Sequence, residues 1–271
     1  MDFKRIELIF FCAFLSLNLF LLYTFRQSQV DQGPTSEIAT AADIESRLKA
    51  DKISFEGTFS AKIYDGYYLS AEATNFHDVV QDSYDKIENH RLSRTLPLAS
   101  QITIDRQNLE KELTSFLIGD APIVFGADYR LRELPSNEQN EIVLSQEFEG
   151  VPFNDETSEL HFDVPDAEEK ITLKGYTQTH LSEIQPLREK QEVVSENAAI
   201  KTLYMSNRIP SESKVVKTEL AYTRLFTVRD KNVYIPAWFV WIETNKNNIQ
   251  MERINAFTNS VISASIPEVK K

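Results

Sequence analysis

The feature that most constrains this chain is an apolar run near its N-terminus, at residues 8–25, with the sequence LIFFCAFLSLNLFLLYTF. Fifteen of these eighteen residues are apolar or aromatic. Extended to include Ile6 and Glu7, the segment would form a helix about 30 Å long, which matches the hydrocarbon core of a bilayer. The run therefore predicts a transmembrane helix over residues 6–25, preceded by a cytoplasmic stub at residues 1–5.

A cleaved signal peptide is the alternative interpretation of this run. The apolar region of a signal peptide is about 7–15 residues long and ends close to a small-x-small site. Here the run is longer, and the first such triplet, Ala39-Thr40-Ala41, lies well past its end. Cys12 lies inside the run, so it does not have the position of a lipoprotein cysteine. The length therefore favours an uncleaved anchor.

The cations that flank the span predict its orientation. Lys4 and Arg5 precede it, whereas Arg26 is the only cation in the first twenty residues that follow it. This positive-inside bias predicts a single-pass protein of the cell membrane, with a cytoplasmic N-terminus and an extracytoplasmic C-terminal part. The single cysteine, Cys12, lies within the span, so the exported part has no thiol, which suits an oxidising exterior.

Small and polar side chains within the span are the candidate contact residues of this helix. Cys12, Ala13 and Ser16 form a small-residue patch, and Asn18 projects roughly opposite Ser16 at about 100° per residue. An unpaired amide is costly in hydrocarbon, and two alternatives satisfy it. Asn18 can bond locally or attract water, or it can join small-residue packing in lateral association with other transmembrane helices.

Composition excludes several classes of function. Lys plus Arg number 29 against 41 Asp plus Glu, and the formal net charge of −12 argues against nucleic acid as a partner, because nucleic-acid affinity depends on cations that meet phosphates. One cysteine excludes an intramolecular disulfide framework and a cysteine-based zinc site. The seven glycines do not form a phosphate-binding loop.

The exported part begins with a polar linker at residues 26–36, which contains Gly33-Pro34. Three helices are predicted after it from capping residues and apolar spacing. The first is capped by Ser36 and runs to about Ala50. The second is capped by Asp105 and closed by Gly119, with apolar residues at 109, 113, 116 and 117. The third starts near Ser195 and ends before Pro210.

Strands are predicted over most of the remainder. Residues 214–228 place Val216, Leu220, Tyr222, Phe226 and Val228 on one face, which predicts a half-buried strand. Residues 233–242, VYIPAWFVWI, are apolar on both faces and predict the best-buried strand, with a bulge or an edge at Pro236. Residues 245–248 should form a turn, and residues 249–256 should pair back. Earlier strands are expected at 67–73, 121–130, 141–148, 158–164 and 169–181.

The order helix, strand, strand, strand follows Asp105 and recurs after Ser195. We therefore predict an α+β fold with antiparallel sheets and packed helices, in two similar subdomains at residues 37–190 and 191–271.

Catalytic patterns are weak in this chain. His161 and Asp163 share a strand face, but a metal would need further ligands, so a surface His–Asp pair is the favoured interpretation. Ser211 and Lys214 match a Ser-x-x-Lys pattern, yet they fall in a loop between a helix and a strand, and the companion Lys-Thr-Gly is missing. We therefore predict no catalytic residue, no metal site and no cofactor.

Several short motifs resemble the YycI family. They are the opening MDFKRIE with the Phe/Leu-rich anchor and Asn18, the segment Asp43-Ile44 to Asp51-x-Ile53, Tyr176-x-Gln178-Thr179, Tyr234-x-Pro236-Ala237-Trp238 and the closing Ile254-Asn255-Ala256-Phe257-Thr258. Together they span nearly the whole chain, although each is loose. Where family members often have glycine after the final Thr, this chain has Asn259, which also tolerates a positive φ.

The resemblance implies an accessory regulator of the WalK–WalR (YycG–YycF) two-component system, with an α+β ectodomain and no catalytic activity. It implies a membrane complex with the sensor histidine kinase WalK and the YycH-like sister protein, in which transmembrane helices make key contacts. Only the anchor inherits contact candidates, Ser16 and Asn18. The alternative function is a membrane-anchored exported enzyme, or an inhibitor of a protease or wall hydrolase.

Overall fold

An apolar helix, α1 (residues 10–22), is the first element of the computed structural model, which describes residues 10–22, 37–80, 85–119, 123–135, 141–164, 170–244 and 248–262. The chain divides into two units, Met1–Asp43 and Ile44–Lys271. The predicted stub at residues 1–5 and the predicted linker at residues 26–36 lie outside the described residues.

Large apolar side chains cover the surface of α1. Phe10 is 75% exposed, and even the least exposed of these side chains, Leu15, is 49% exposed. Across the residues that the structure describes, no helix has both the length and the apolarity that a membrane crossing requires. The predicted span at residues 6–25 extends beyond the described part of α1 at both ends.

Three further helices are confirmed at the predicted positions, but Asp105 is not the N-cap of the second one, which begins after Asn108, and the predicted cap Ser36 lies outside the described residues. They are α2 (Glu37–Ala50), α3 (Leu109–Ile118) and α4 (Glu196–Met205). Ser195 caps α4, since its side chain accepts from the Ala198 N–H, and the Gly119 N–H donates to the Ser115 carbonyl at the end of α3. Asp105 caps a 3₁₀ turn at Arg106–Asn108 that leads into α3.

Eighteen strands are described in the second unit. They are β1 (Ser54–Phe55), β2 (Tyr64–Gly66), β3 (Leu69–Ala73), β4 (Asp85–Glu88), β5 (Arg91–Thr95), β6 (Ile102–Asp105), β7 (Tyr129–Leu131), β8 (Glu141–Phe148), β9 (Val151–Pro152), β10 (Glu159–Asp163), β11 (Lys170–Leu173), β12 (Gly175–Gln178), β13 (Leu181–Pro186), β14 (Gln191–Val193), β15 (Lys214–Val228), β16 (Lys231–Glu243), β17 (Ile249–Asn255) and β18 (Ser260–Val261). The predicted α+β class is confirmed.

Two large sheets organise these strands. One has the order β1-β15-β16-β17-β18, and β3 also pairs with β16 and with β13. The other has the order β4-β5-β12-β10-β8-β7, with β9 attached to β8. All their pairings are antiparallel except that of β1 with β15. Strands β1, β3 and β13 precede residue 190 and pair within the same sheet as β15–β18, while the division into two similar subdomains stays a prediction.

Four apolar clusters hold the unit together. Leu113 and Leu117 of α3 pack on the sheet that contains β8, β10 and β12. Leu48 of α2 packs with Leu203 of α4 on the sheet that contains β15, β16 and β17, called the β15–β17 sheet. A third cluster, which includes Phe153, joins β9 to β3 and β15. The fourth lies around Phe239, Trp241 and Ala221. Because both faces of the β15–β17 sheet are covered, the prediction of one buried face on β15 is wrong.

The strand over residues 233–242 is buried as predicted, but the role predicted for Pro236 is wrong. Pro236 lies in the central strand β16, opposite Tyr222, and no register shift occurs there. On the other side, β3 pairs with residues 231–234 and β17 pairs with residues 237–243. The Pro236 carbonyl accepts from the Ala256 N–H on that side, so the backbone nitrogen of Pro236 also faces that side. The nitrogen lies at the junction between β3 and β17, where the lack of an N–H leaves no ladder bond unmade.

Two of the earlier strands need correction. Residues 169–181 do not form one strand. The extended structure is interrupted at Lys174 and at Thr179-His180, and this separates β11, β12 and the start of β13. Within the predicted strand 121–130, residues 126–128 form a 3₁₀ turn and only the short β7 follows. Most of the predicted turn at 245–248 lies outside the described residues, and the strand expected at 249–256 is confirmed as β17.

Candidate functional site

The predicted contact residues of the N-terminal helix all lie in α1. Ser16 Oγ donates to the carbonyl oxygen of Ala13 at 2.8 Å, and Asn18 Nδ2 donates to the carbonyl oxygen of Phe14 at 3.0 Å. Cys12 is a free, exposed thiol. The local bond that one alternative for Asn18 requires is therefore present. It uses one of the two amide N–H groups, and lateral association through these residues stays a prediction.

His161 lies on β10 with Asp163, but its partners are glutamates. Its Nε2 lies 2.9 Å from Glu159 Oε2, and its Nδ1 lies 3.5 Å from Glu141 Oε2 on the paired strand β8. The hydrogen bond with Glu159 is the largest cause that raises the pKa of His161 above its usual value, and burial opposes it. The site is thus a carboxylate–histidine pair, and the predicted partner Asp163 is replaced by Glu159.

His180 joins a hydroxyl and a carboxylate. Its Nδ1 lies 2.7 Å from Thr74 Oγ1, and its Nε2 lies 3.0 Å from Asp128 Oδ2. Phe125 stacks on the imidazole ring with a centroid distance of 4.2 Å, and burial lowers the pKa of His180. This order of groups resembles a nucleophile, base and acid, but Thr74 is only 7% exposed, so its hydroxyl is not open to a substrate.

The Ser-x-x-Lys pattern has no catalytic geometry. Ser211 lies in a turn that precedes β15, and Lys214 Nζ binds Glu56 Oε1 at 2.9 Å. The adjacent Ser213 donates from its hydroxyl to the Pro210 carbonyl. Lys214 thus forms an ion pair with Glu56. A catalytic serine of this pattern needs the lysine one helical turn away, and Ser211 does not lie on a helix.

Asp155 is a buried carboxylate between the two sheets. Its Oδ1 accepts from the N–H and the hydroxyl of Thr157, and its Oδ2 accepts from the Arg224 N–H of β15. Burial is the largest influence on this carboxyl and raises its pKa. The Thr157 hydroxyl also lies 2.6 Å from the Tyr234 hydroxyl of β16. The network ties the β9–β10 connection to β15 and β16.

A cleft of about 300 Å³ lies between β15 and the β7–β9 segment. Its charged lining consists of Arg130, Arg132, Lys217, Glu110, Glu133, Glu147 and Glu219. Arg132 forms an ion pair with Glu219 and donates from Nη1 to the Phe153 carbonyl at 2.7 Å. Arg132 Nε is buried and has no hydrogen-bond partner within the described residues. The cleft is therefore polar and contains one donor that is not satisfied.

Metal ligands do not converge in the described parts of the chain, where no group of three or more His, Cys, Asp or Glu side chains is arranged to hold an ion. The cleft around Arg132 and the Asp155 network have no signal in the sequence, because their residues come from α3, the segment from β7 to the β9–β10 connection, β15 and β16, which are far apart along the chain. The only signal in the sequence is that Lys217 and Glu219 share one face of β15, which indicates a charged face.

The structure defines a sheet-rich α+β protein with few helices, in which an apolar helix comes first along the chain. The family model described as YycI protein matches residues 34–257, and the chain belongs to this family. No curated protein matches the chain. Among solved structures, it is similar to an uncharacterized protein from Eubacterium rectale ATCC 33656, with a TM-score of 0.43 and 10% identity over 79% of this chain and 92% of that one.

Membership of the YycI family supports a regulatory accessory role in a two-component system. Proteins of this family are typically membrane-associated and are not known as enzymes.

Proposed function

We propose that this protein is a non-enzymatic, membrane-anchored regulator that associates with the sensor histidine kinase WalK and the YycH-like sister protein, and so modulates the cell-wall two-component system. The family match over residues 34–257 carries the proposal. The apolar run at residues 6–25 supports a single-pass anchor in the cell membrane, and the flanking Lys4 and Arg5 support a cytoplasmic N-terminus.

The anchor helix supplies the contacts with the kinase in this proposal. Cys12, Ala13 and Ser16 allow close approach of a neighbouring helix, since small residues permit backbone packing in a bilayer. Asn18 keeps one amide N–H and its Oδ1 beyond the bond to Phe14, and these can pair with a polar group of the neighbour. Such bonds average about 0.6 kcal/mol, so packing supplies most of the affinity.

Regulation follows if the complex forms better with one kinase conformation than with the other. A coupling free energy of about 1–3 kcal/mol shifts the kinase equilibrium by roughly 5- to 150-fold. The sign of this effect depends on which conformation the helix prefers.

A bacterial membrane two-hybrid assay with the kinase tests the role of the helix. Replacement of Asn18 by leucine, Asn18→Leu, should weaken the signal because it removes the interhelical hydrogen bond but keeps the helix apolar. The matched control is Asn18→Leu combined with Leu19→Asn, which keeps the composition and moves the amide about 100° around the helix. Both variants should give a weaker two-hybrid signal than the unmodified helix, and an unchanged signal for either would show that Asn18 does not take part in the contact.

Deletion of residues 36–271 tests whether the anchor helix regulates the kinase without the rest of the chain. The remaining anchor should co-purify with the histidine kinase from membranes and retain part of the effect on kinase output. Complete loss of regulation, together with a hydrolase or inhibitor activity of the intact chain, would favour the exported enzyme or inhibitor instead.

A further inference from the structure

The outer edge of β15 is open over part of its length. At one end, Ser54 and Phe55 of β1 pair in parallel with Lys214 and Val215. At the other end, Phe153 forms a parallel bridge with Tyr222. Residues 216–221 lie between these two partners, a distance of about 20 Å along an extended strand. Among the described residues, the edge of the sheet therefore has a gap that is flanked on both sides by parallel neighbours.

The backbone groups of alternate residues in this gap face outward. The Tyr222 carbonyl accepts from the Asn154 N–H at 2.8 Å, so the backbone N–H and C=O groups of Tyr222 point away from β16. Residues two apart on a strand point to the same side, hence the N–H and C=O groups of Thr218 and Leu220 also face outward. In the described part of the chain, neither residue has a backbone partner on that side. An unpaired edge of this kind is a template for another strand.

The cleft that contains Arg132 lies beside the same stretch. Lys217 and Glu219 of β15 line it, and Pro152, which directly precedes the bridging Phe153, lines its other wall. The side chain of Arg132 is 4% exposed, and its Nε has no hydrogen-bond partner among the described residues. An added strand would therefore lay alternate side chains into a polar cleft.

Charge selects the kind of strand that fits. Glu110 and Glu133 line the cleft, are exposed, and form no ion pair within the described residues. The whole chain carries a formal charge of −12, which disfavours a second copy of itself as the occupant and favours a cationic segment.

We propose that the open edge of β15 at residues 216–221 binds an extended, basic peptide segment of a partner protein by strand addition, with backbone bonds to Thr218 and Leu220 and cationic side chains beside Glu110 and Glu133. The proposal does not depend on residues 10–22, so it stands or falls apart from the proposed kinase contact.

Binding of a fluorescent hexapeptide of alternating lysine and valine to the full chain in detergent tests this proposal. The basic peptide should bind about tenfold more tightly than its glutamate counterpart, because Glu110 and Glu133 are the carboxylates of the cleft that form no ion pair within the described residues. A version with N-methyl groups on alternate residues should lose about tenfold in affinity, since it cannot form the backbone bonds. Equal affinity for all three peptides would overturn the proposal.

Two protein variants sharpen the test. Thr218→Pro removes an outward N–H, whereas Thr218→Ala keeps it, and both lose the hydroxyl bond to Glu196. Only the proline variant should reduce binding, and if it fails to fold, the N-methylated peptide still tests the backbone bonds. Glu110→Lys with Glu133→Lys should reverse the preference toward the acidic peptide, and an unchanged preference would refute the charge argument. Self-association that Thr218→Pro abolishes, without peptide binding, would instead assign the edge to a second copy.

Discussion

Arg132 and Glu219 form a buried ion pair that joins the end of β7 to β15. The side chain of Arg132 is 4% exposed and that of Glu219 is 20% exposed, so water screens the pair only partly. Arg132 also donates to the Phe153 carbonyl, next to the contact between the rings of Phe153 and Tyr222. The polar and apolar links between the two large sheets therefore lie side by side.

Removal of one member of this pair should be costly. Arg132→Met should destabilise the protein by about 3 kcal/mol, because it leaves Glu219 and the Phe153 carbonyl without their partner in a largely buried place. Chemical unfolding of the full chain in detergent measures this loss. The double variant Arg132→Met with Glu219→Gln should lose less than the sum of the single variants, and strict additivity would show that the two side chains do not interact.

Asp155→Asn should destabilise the protein by about 2 kcal/mol, since an amide offers one acceptor where the carboxylate offers two. The amide N–H₂ would face either the Thr157 N–H or the Arg224 N–H, both of which are donors. Glu156→Gln is the matched control, because Glu156 is exposed and binds Arg224 only at the surface. A loss as large for the control as for Asp155→Asn would contradict a special role of the buried carboxyl.

The helices were predictable because their signals are local. Ser195 and Gly119 cap helices through bonds to residues three or four positions away, so the sequence contains both members of each contact. The best-buried strand, β16, was also predictable, since it is apolar on both faces. Pro236 was not, because its tolerance depends on β3 and β17 meeting beside it, and these strands are distant in sequence.

The candidate sites were less predictable than the fold. The residues of the cleft belong to four segments, and nothing in the sequence states that Arg132 meets Glu219 across 87 positions. His161 shows the same limit, because Glu159 and Asp163 both share its strand face and only the structure selects Glu159. The contact candidates of α1 were accessible from the sequence because one helix contains them all.

The pH dependence of stability should reflect His161. Its pKa is raised in the folded protein by the hydrogen bond with Glu159, so its contribution is fully present below the unfolded pKa of about 6.5. The contribution is lost as pH rises through the folded pKa. His161→Gln should flatten this fall in melting temperature as pH rises above about 6.5. An unchanged slope would show that the pair contributes nothing.

His180 should act in the opposite direction. Burial lowers its pKa in the folded state, so its contribution to stability is present above the unfolded pKa of about 6.5 and is lost as pH falls through the folded pKa. His180→Gln should therefore reduce the loss of stability on acidification, although it costs stability at neutral pH through the bonds to Thr74 and Asp128. The exposed His77 offers a control, His77→Gln, and an equal effect there would contradict the assignment.

Gly175 of β12 should tolerate no side chain, because β5 approaches it closely. A Cβ at this position would lie 2.7 Å from the Arg94 carbonyl oxygen and 3.4 Å from the Thr95 Cα, both backbone atoms that cannot move aside as a side chain can. Gly175→Ala should therefore cost about 1–3 kcal/mol, and for a chain of this size each kcal/mol lowers the melting temperature by roughly 2–4 °C. Thr177→Ala, two residues along the same strand, removes atoms without adding any and should cost less. A melting temperature for Gly175→Ala equal to that of the unmodified protein would mean that β5 and β12 separate to admit the methyl group.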